Sequence, residues 1–212
     1  MIETKICGLS DVAGVDAALV GGARYVGFVF FPKSPRHITP EKAAALAAPT
    51  RGRVDTVAVT VDATDEALTA ISAAFQPDWI QLHGVETPAR VAAARRYARK
   101  GVIRAFGIAR AADFAGVDAY ATAADAFLFD AKALPEAALP GGNGAAFDWR
   151  ILRGRTVPRP WLLSGGLTAA NLAEAVAESG AGAVDVSSGV EQAPGVKDPL
   201  RIAEFLAAAK AL

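Results

Sequence analysis

Apolar residues in this chain are arranged in two alternating textures. Short runs rich in apolar, β-branched and aromatic residues occur at 4–9 (TKICGL), 25–30 (YVGFVF), 55–61 (DTVAVTV) and 79–83 (WIQLH). Four more follow at 102–108 (VIRAFGI), 126–131 (AFLFDA), 160–166 (PWLLSGG) and 183–188 (AVDVSS). Each is bounded by Gly, Pro or polar residues, which predicts a strand. Between them lie Ala-rich stretches with helical spacing and recognisable starts. Ser10 opens SDVAGVDAALVGG, Thr39-Pro40 opens TPEKAAALAA, and threonines head TDEALTAISAAF, TPARVAAARRYARK and TAANLAEAVAESG. A hydroxyl before a helix caps its free N–H groups, and proline suits the first turn. DPLRIAEFLAAAKAL predicts a last helix, whereas the segments after the fifth and sixth strands predict only short or irregular ones.

Strands joined by helices pair in parallel. Eight such units predict a (β/α)8 TIM barrel of the α/β class, formed by residues 1–212 as one compact domain, near the ~200-residue lower end for that fold. A doubly wound open sheet is the rival, but it normally carries fewer strands and an early phosphate loop. No linker, tandem repeat or low-complexity tract divides the chain.

Composition narrows the setting. Apolar residues make up 52% of the chain, enough for a large core. Basic and acidic residues balance at 22 each, with no basic stripe to meet nucleic acid or a membrane surface. One cysteine cannot make an internal disulfide, which points to a reducing, cytoplasmic setting. MIETKICGL has no apolar core of the signal-peptide kind, and no apolar run reaches the ~20 residues of a membrane span.

In a barrel of this kind the loops after the strands' C-terminal ends build the active site. Strand 7 ends in SGG (164–166) and strand 8 in SSG (187–189). Glycines there let backbone N–H groups reach an anion and hydroxyls add donors, so these loops are candidates for phosphate. Cys7 ends strand 1; a lone cysteine is usually a buried small apolar residue. Lys5, two residues earlier, points to the same side, and a neighbouring ammonium would favour the thiolate. Asp130 follows FLF, where pure packing has no use for a carboxylate, although a turn cap or a pair with Lys132 would also explain it. Strands 1 and 6 lie across an eight-stranded ring, so Cys7 and Asp130 could serve as base and acid on one substrate; burial favours the protonated form of a carboxyl. Arg36, in FPKSPRHI, has the planar fork that suits a ligand carboxylate, against the commoner solvated arginine. His83 is a pocket candidate, and Asp62 and Asp185 are plausible polar wall residues, though such aspartates also cap helices.

Metal and cofactor signatures are absent: there is no CxxC or paired histidine for zinc, no Walker loop, no dinucleotide fingerprint and no nucleophile elbow. A reaction without cofactor or metal is the simplest expectation.

Taken together, KICGL, GFVFFPKSPRHI, IQLHG, FLFDAK, GGNGAAFDW, LLSGGL and VDVSSGVE with PGVKD resemble the phosphoribosylanthranilate isomerase family, in that family's order and almost end to end. The resemblance implies the Amadori rearrangement of N-(5-phosphoribosyl)anthranilate to its 1-deoxyribulose 5-phosphate derivative, a step of tryptophan biosynthesis. It further implies that Cys7 is the general base, Asp130 the general acid and Arg36 the carboxylate clamp. Gly165, Gly166, Ser188 and Gly189 would hold the phosphate. The expected partner is thus a small phosphosugar, and the chain itself is a monomer or homodimer. One stretch departs from the family: it commonly reads GGTG or GGSG followed by lysine, whereas here it is Gly141-Gly142-Asn143-Gly144-Ala145-Ala146. Two other readings share parts of this pattern. Another phosphosugar isomerase, epimerase or lyase would keep the phosphate loops, and a non-catalytic phospho-ligand sensor would not need Cys7 opposite Asp130.

Overall fold

A computed structural model of the chain describes residues 2–132 and 146–212. Eight parallel strands close into a barrel: β1 (Glu3–Cys7), β2 (Tyr25–Phe30), β3 (Asp55–Thr60), β4 (Trp79–Leu82), β5 (Gly101–Ile108), β6 (Ala126–Ala131), β7 (Trp161–Leu163) and β8 (Ala183–Val186). Neighbours in sequence are neighbours in the sheet, and β8 returns to β1 with Lys5 opposite Asp185. The expected (β/α)8 barrel is the observed fold.

Helices α1 (Val12–Gly21), α2 (Pro40–Ala47), α3 (Asp65–Phe75), α4 (Pro88–Ala94), α5 (Leu172–Ser179) and α6 (Pro199–Lys210) lie among the strands. Thr39, Thr64 and Thr87 cap α2, α3 and α4 as expected, each accepting a backbone N–H three residues on. At α1 the cap is Asp11 and not Ser10: the Asp11 carboxylate accepts from Gly14 N at 2.8 Å, while Ser10 Oγ donates to Gly195 O. Two 3₁₀ turns, Ala111–Phe114 and Val117–Tyr120, follow β5, and a third at Trp149–Leu152 precedes β7. β7 stops at Leu163, so SGG belongs to the loop. After β8 the chain adds a small antiparallel hairpin, β9 (Glu191–Ala193) and β10 (Val196–Lys197), that the residue pattern did not predict.

Strand alternation divides the core into two layers. Ile6, Val26, Phe28, Ile80, Phe127, Leu163 and Val184 face outward, packed with helix residues such as Leu68, Phe75 and Phe205. Cys7, Val29, Val57, Val59, Ile103, Ala105, Leu128 and Leu162 fill the barrel. Strands buried on both faces explain why the runs were continuously apolar instead of alternating with polar residues. The rings of Phe28 and Phe75 meet edge to face with centroids 5.3 Å apart, tying β2 to α3.

Candidate active site

Three groups of side chains meet at the C-terminal ends of the strands. The first is centred on β1. Lys5 is completely buried inside the barrel, with Nζ 2.8 Å from Asp185 Oδ1; the other oxygen, Oδ2, accepts from Ser164 Oγ at 3.0 Å. β1, β8 and the end of β7 are thereby joined through one carboxylate. Gly27 on β2 makes room for this group: a Cβ there would stand 3.2 Å from Lys5 Nζ and 3.3 Å from Cys7 Sγ.

The charge balance differs from the expectation of a thiolate favoured by Lys5. Burial pushes the Cys7 thiol above its ordinary value, and the Lys5 ammonium only partly opposes this because Asp185 adds to the rise. Burial would pull Lys5 down, yet Asp185 and Cys7 together hold it above the usual lysine range. Lys5 is therefore answered chiefly by Asp185, and burial tips the balance at Cys7 toward the thiol. As this is the only cysteine in the chain, alkylation reads it alone. The rate with iodoacetamide should climb about tenfold per pH unit to beyond the ordinary thiol range, because the thiolate is the reacting form. A plateau reached below pH 8 would show that the ammonium wins after all.

The second group surrounds Asp130, near the end of β6. It is 5% exposed and does not pair with Lys132, which reaches Asp113 at 2.8 Å. Asp130 Oδ1 accepts the Ala131 N–H at 2.9 Å, and Oδ2 faces His83 Nε2 at 3.4 Å. Gln81 Nε2 lies 3.2 Å from His83 Nδ1. With the amide nitrogen as donor, Nδ1 accepts and the imidazole proton sits on Nε2, aimed at Asp130. Gln81 Oε1 and His83 Nε2 are buried without completing a hydrogen bond among the described residues, which suits a polar ligand.

The third group links the loop after β2 to the hairpin. Arg36 is buried, not solvated, and its side chain crosses Gly8, where a Cβ would come within 2.6 Å of Arg36 Cδ. Its fork grips Glu191, Nε to Oε1 at 2.7 Å and Nη2 to Oε2 at 2.9 Å. The guanidinium also interacts electrostatically with Cys7 and Asp130. Lys197 Nζ reaches the same Glu191 Oε1 at 2.7 Å, Ser187 O at 2.9 Å and Ser187 Oγ at 3.2 Å. Burial would raise Glu191, but the Arg36 hydrogen bond and the Lys197 charge hold it below the usual carboxylate value. Lys197 is pulled down by burial in spite of Glu191. Sequence reasoning passed over Glu191, Lys197 and Gly27, and it offered the Ser164 hydroxyl to a ligand, whereas it donates to Asp185.

The loops after β7 and β8 pack tightly together. Gly165 has φ +92° and a Cβ there would lie 2.6 Å from Ala131 N; one on Gly189 would lie 1.9 Å from Leu167 O. These glycines serve close approach as well as any ligand. The N–H groups of Gly165, Gly166, Ser188 and Gly189 have no backbone acceptor among the described residues. Asn171 steadies the first loop, accepting from Thr168 N at 2.8 Å and donating to Gly166 O at 2.9 Å. Asp62, a suggested wall residue, instead accepts Val85 N at 2.8 Å and joins the loops after β3 and β4. The unusual stretch at 141–145 lies outside the described residues.

Comparison with known proteins gives a consistent picture. A family model for N-(5'-phosphoribosyl)anthranilate (PRA) isomerase matches residues 4–208. The chain is 54% identical, over 210 residues, to the N-(5'-phosphoribosyl)anthranilate isomerase of Paracoccus denitrificans (strain Pd 1222), covering 99% of this chain and 98% of that protein. The crystal structure of phosphoribosyl anthranilate isomerase from Thermotoga maritima superposes with a TM-score of 0.87 at 35% identity, each chain fully covered. A second crystal structure of such an isomerase, in complex with reduced 1-(o-carboxyphenylamino)-1-deoxyribulose 5-phosphate, matches at TM-score 0.84 and 33% identity over the full length of both.

Proposed function

Because the chain belongs to the N-(5'-phosphoribosyl)anthranilate isomerase family and acts in tryptophan biosynthesis, we propose that Cys7 is the general base and Asp130 the general acid of its isomerisation. Arg36 binds the anthranilate carboxylate, and the N–H groups of Gly165, Gly166, Ser188 and Gly189 bind the phosphate. Lys5, His83 and Asp185 support the two proton-transfer groups. The observation that carries this reading is geometric: Cys7 and Asp130 are buried at the same end of β1 and β6, non-adjacent strands of one closed barrel, and the buried Arg36 side chain packs against Gly8, next to Cys7.

The steps follow from these roles. Asp130 gives its proton to the furanose ring oxygen, the C1′–O bond breaks, and the anthranilate nitrogen supplies electrons to form a cationic imine. That cation acidifies the C2′–H. Cys7 removes the proton as thiolate, leaving an enamine whose tautomer is the ketone product. The imine's positive charge favours a neighbouring thiolate, so a sulfur that rests protonated releases its proton to solvent as the intermediate forms; the thiolate is then a weaker base, but the same charge acidifies the C2′–H it removes. Lys5 opposes the penalty of burying that anion, and His83 lies beside Asp130, with Nε2 3.4 Å from Oδ2.

All these groups belong to one barrel, so a monomer and a homodimer would both carry the reaction. The described helices include none long and apolar enough to cross a membrane, and we place the enzyme in the cytoplasm with its phosphosugar substrate. We treat residues 1–212 as a single isomerase domain.

The test is growth without tryptophan of a bacterial strain lacking this isomerase, supplied with the full chain, alongside Arg36→Met. The wild-type chain restores growth. Purified Arg36→Met raises KM about 10–100-fold, the worth of a charge-assisted bidentate contact. An unchanged KM for Arg36→Met would remove the carboxylate role.

A further inference from the structure

The hairpin after β8 is small, yet it holds two buried charges. Glu191 and Lys197 are paired across its two strands, and they are 6% and 3% exposed. Withdrawing charges from water is costly, and apolar side chains usually serve stability as well or better. The contacts suggest what the charges are for. Glu191 uses one carboxylate to hold Arg36 Nε, Arg36 Nη2 and Lys197 Nζ. Lys197 spends its ammonium donors inside the protein, on Glu191 and on both oxygens of Ser187. It is committed to fixing the residue that opens the SSG loop and does not reach for a ligand.

The hairpin's turn adds an independent contact. Gly195 has φ +81°, and a Cβ there would lie 2.5 Å from the carbonyl oxygen of Pro35, the residue before Arg36. Its N–H also donates to Glu191 Oε2 at 3.3 Å. One rigid unit thus presses on the loop carrying Arg36 and grips the loop carrying Ser188 and Gly189.

We propose that the β9–β10 hairpin is a spacer: Glu191, Lys197 and Gly195 are positioning residues that set the separation between the carboxylate grip at Arg36 and the phosphate grip at Ser188 and Gly189. This rests on the roles given to those grips under Proposed function. The substrate's two anionic ends are fixed by its covalent frame, so both must be met at once. A displacement of about 1 Å can cost on the order of 100-fold in such a site.

The test uses the full chain and the variants Glu191→Gln, Gly195→Ala and Lys197→Met. Steady-state kinetics are measured with the substrate, and competitive inhibition with inorganic phosphate, which probes one grip alone. Glu191→Gln and Gly195→Ala are expected to raise KM about tenfold or more, with kcat within about threefold and the phosphate inhibition constant within about twofold. Lys197→Met is expected to raise both KM and the phosphate constant. A purely structural role would lower the folded fraction, reducing apparent kcat and leaving KM unchanged; that outcome overturns the proposal. So does a phosphate constant that rises with KM in Glu191→Gln. Gly195→Ala keeps every charge, so the question stays answerable if Glu191→Gln does not fold. If Arg36→Met raises KM while these variants do not, only the spacer fails. If Arg36→Met itself keeps a normal KM, the underlying assignment fails.

Discussion

Cys7→Ala lowers kcat by about 10²–10⁴-fold, the usual contribution of one general base, while the folded variant still binds a reduced product analogue. The reasoning separates chemistry from binding. Cys7 sits beside Lys5 and Gly27, and truncation to alanine removes a single sulfur from a tight site. It disturbs neither the loops after β7 and β8 nor the contacts of Arg36 with Glu191. Asp130→Asn mirrors the effect: the amide keeps the shape and its oxygen can still accept the Ala131 N–H, but it cannot deliver a proton to the ring oxygen. Each variant is assayed for turnover and, by titration calorimetry, for analogue affinity. Wild-type-like turnover in either one would remove that residue from its role. Loss of turnover together with loss of analogue binding would instead indicate a collapsed site.

Lys5→Met destabilises the protein by about 3–5 kcal/mol, because it leaves the Asp185 carboxylate buried without its cation. The two form an ion pair at 2.8 Å with side chains 0% and 6% exposed, so water cannot replace the missing partner. Adding Asp185→Asn to Lys5→Met restores part of the loss, since a neutral amide needs no counter-charge and can still accept from Ser164 Oγ. Urea unfolding curves of wild type, both single variants and the double variant measure this. If the double variant loses as much as the sum of the singles, the pair is not coupled and the argument fails. Lys5→Met also removes the one neighbour that most opposes the burial of a Cys7 anion, so its alkylation profile shifts to higher pH.

Much of the fold was legible because barrel strands are buried on both faces and their helices are amphipathic or capped. The eight apolar runs, the threonine caps and the absence of clear helices after β5 are direct records of that burial. The shared side of Lys5 and Cys7 followed from strand alternation, and Asp130 stood out as a carboxylate in an apolar run, which the structure shows to be buried. What could not be read has a common cause: the decisive partners are distant in sequence. Glu191 follows a turn containing Gly189, where a carboxylate ordinarily meets solvent, and only the closed barrel brings Arg36 to it from 155 positions away in the sequence. The direction of the Cys7 shift depends on weighing burial against two opposite charges, which no local spacing encodes. Ser10 and Asp11 are adjacent and chemically equivalent caps, so α1 began one residue later than expected. The glycines of the last two loops were read as anion ligands, and their second duty, letting loops touch, required knowing what touches them.

The Lys5–Asp185–Ser164 connection spans the seam where the first strand meets the last two. A chain emerging from the ribosome carries Cys7 almost from the start but lacks Asp185 until nearly nine-tenths of it has been made. Through most of synthesis the proposed base is an ordinary thiol without a tuned environment. Docking the final quarter of the chain closes the barrel and at the same moment delivers Ser164, Asp185, Glu191 and both Gly/Ser loops, so an unfinished barrel lacks half of the proposed site.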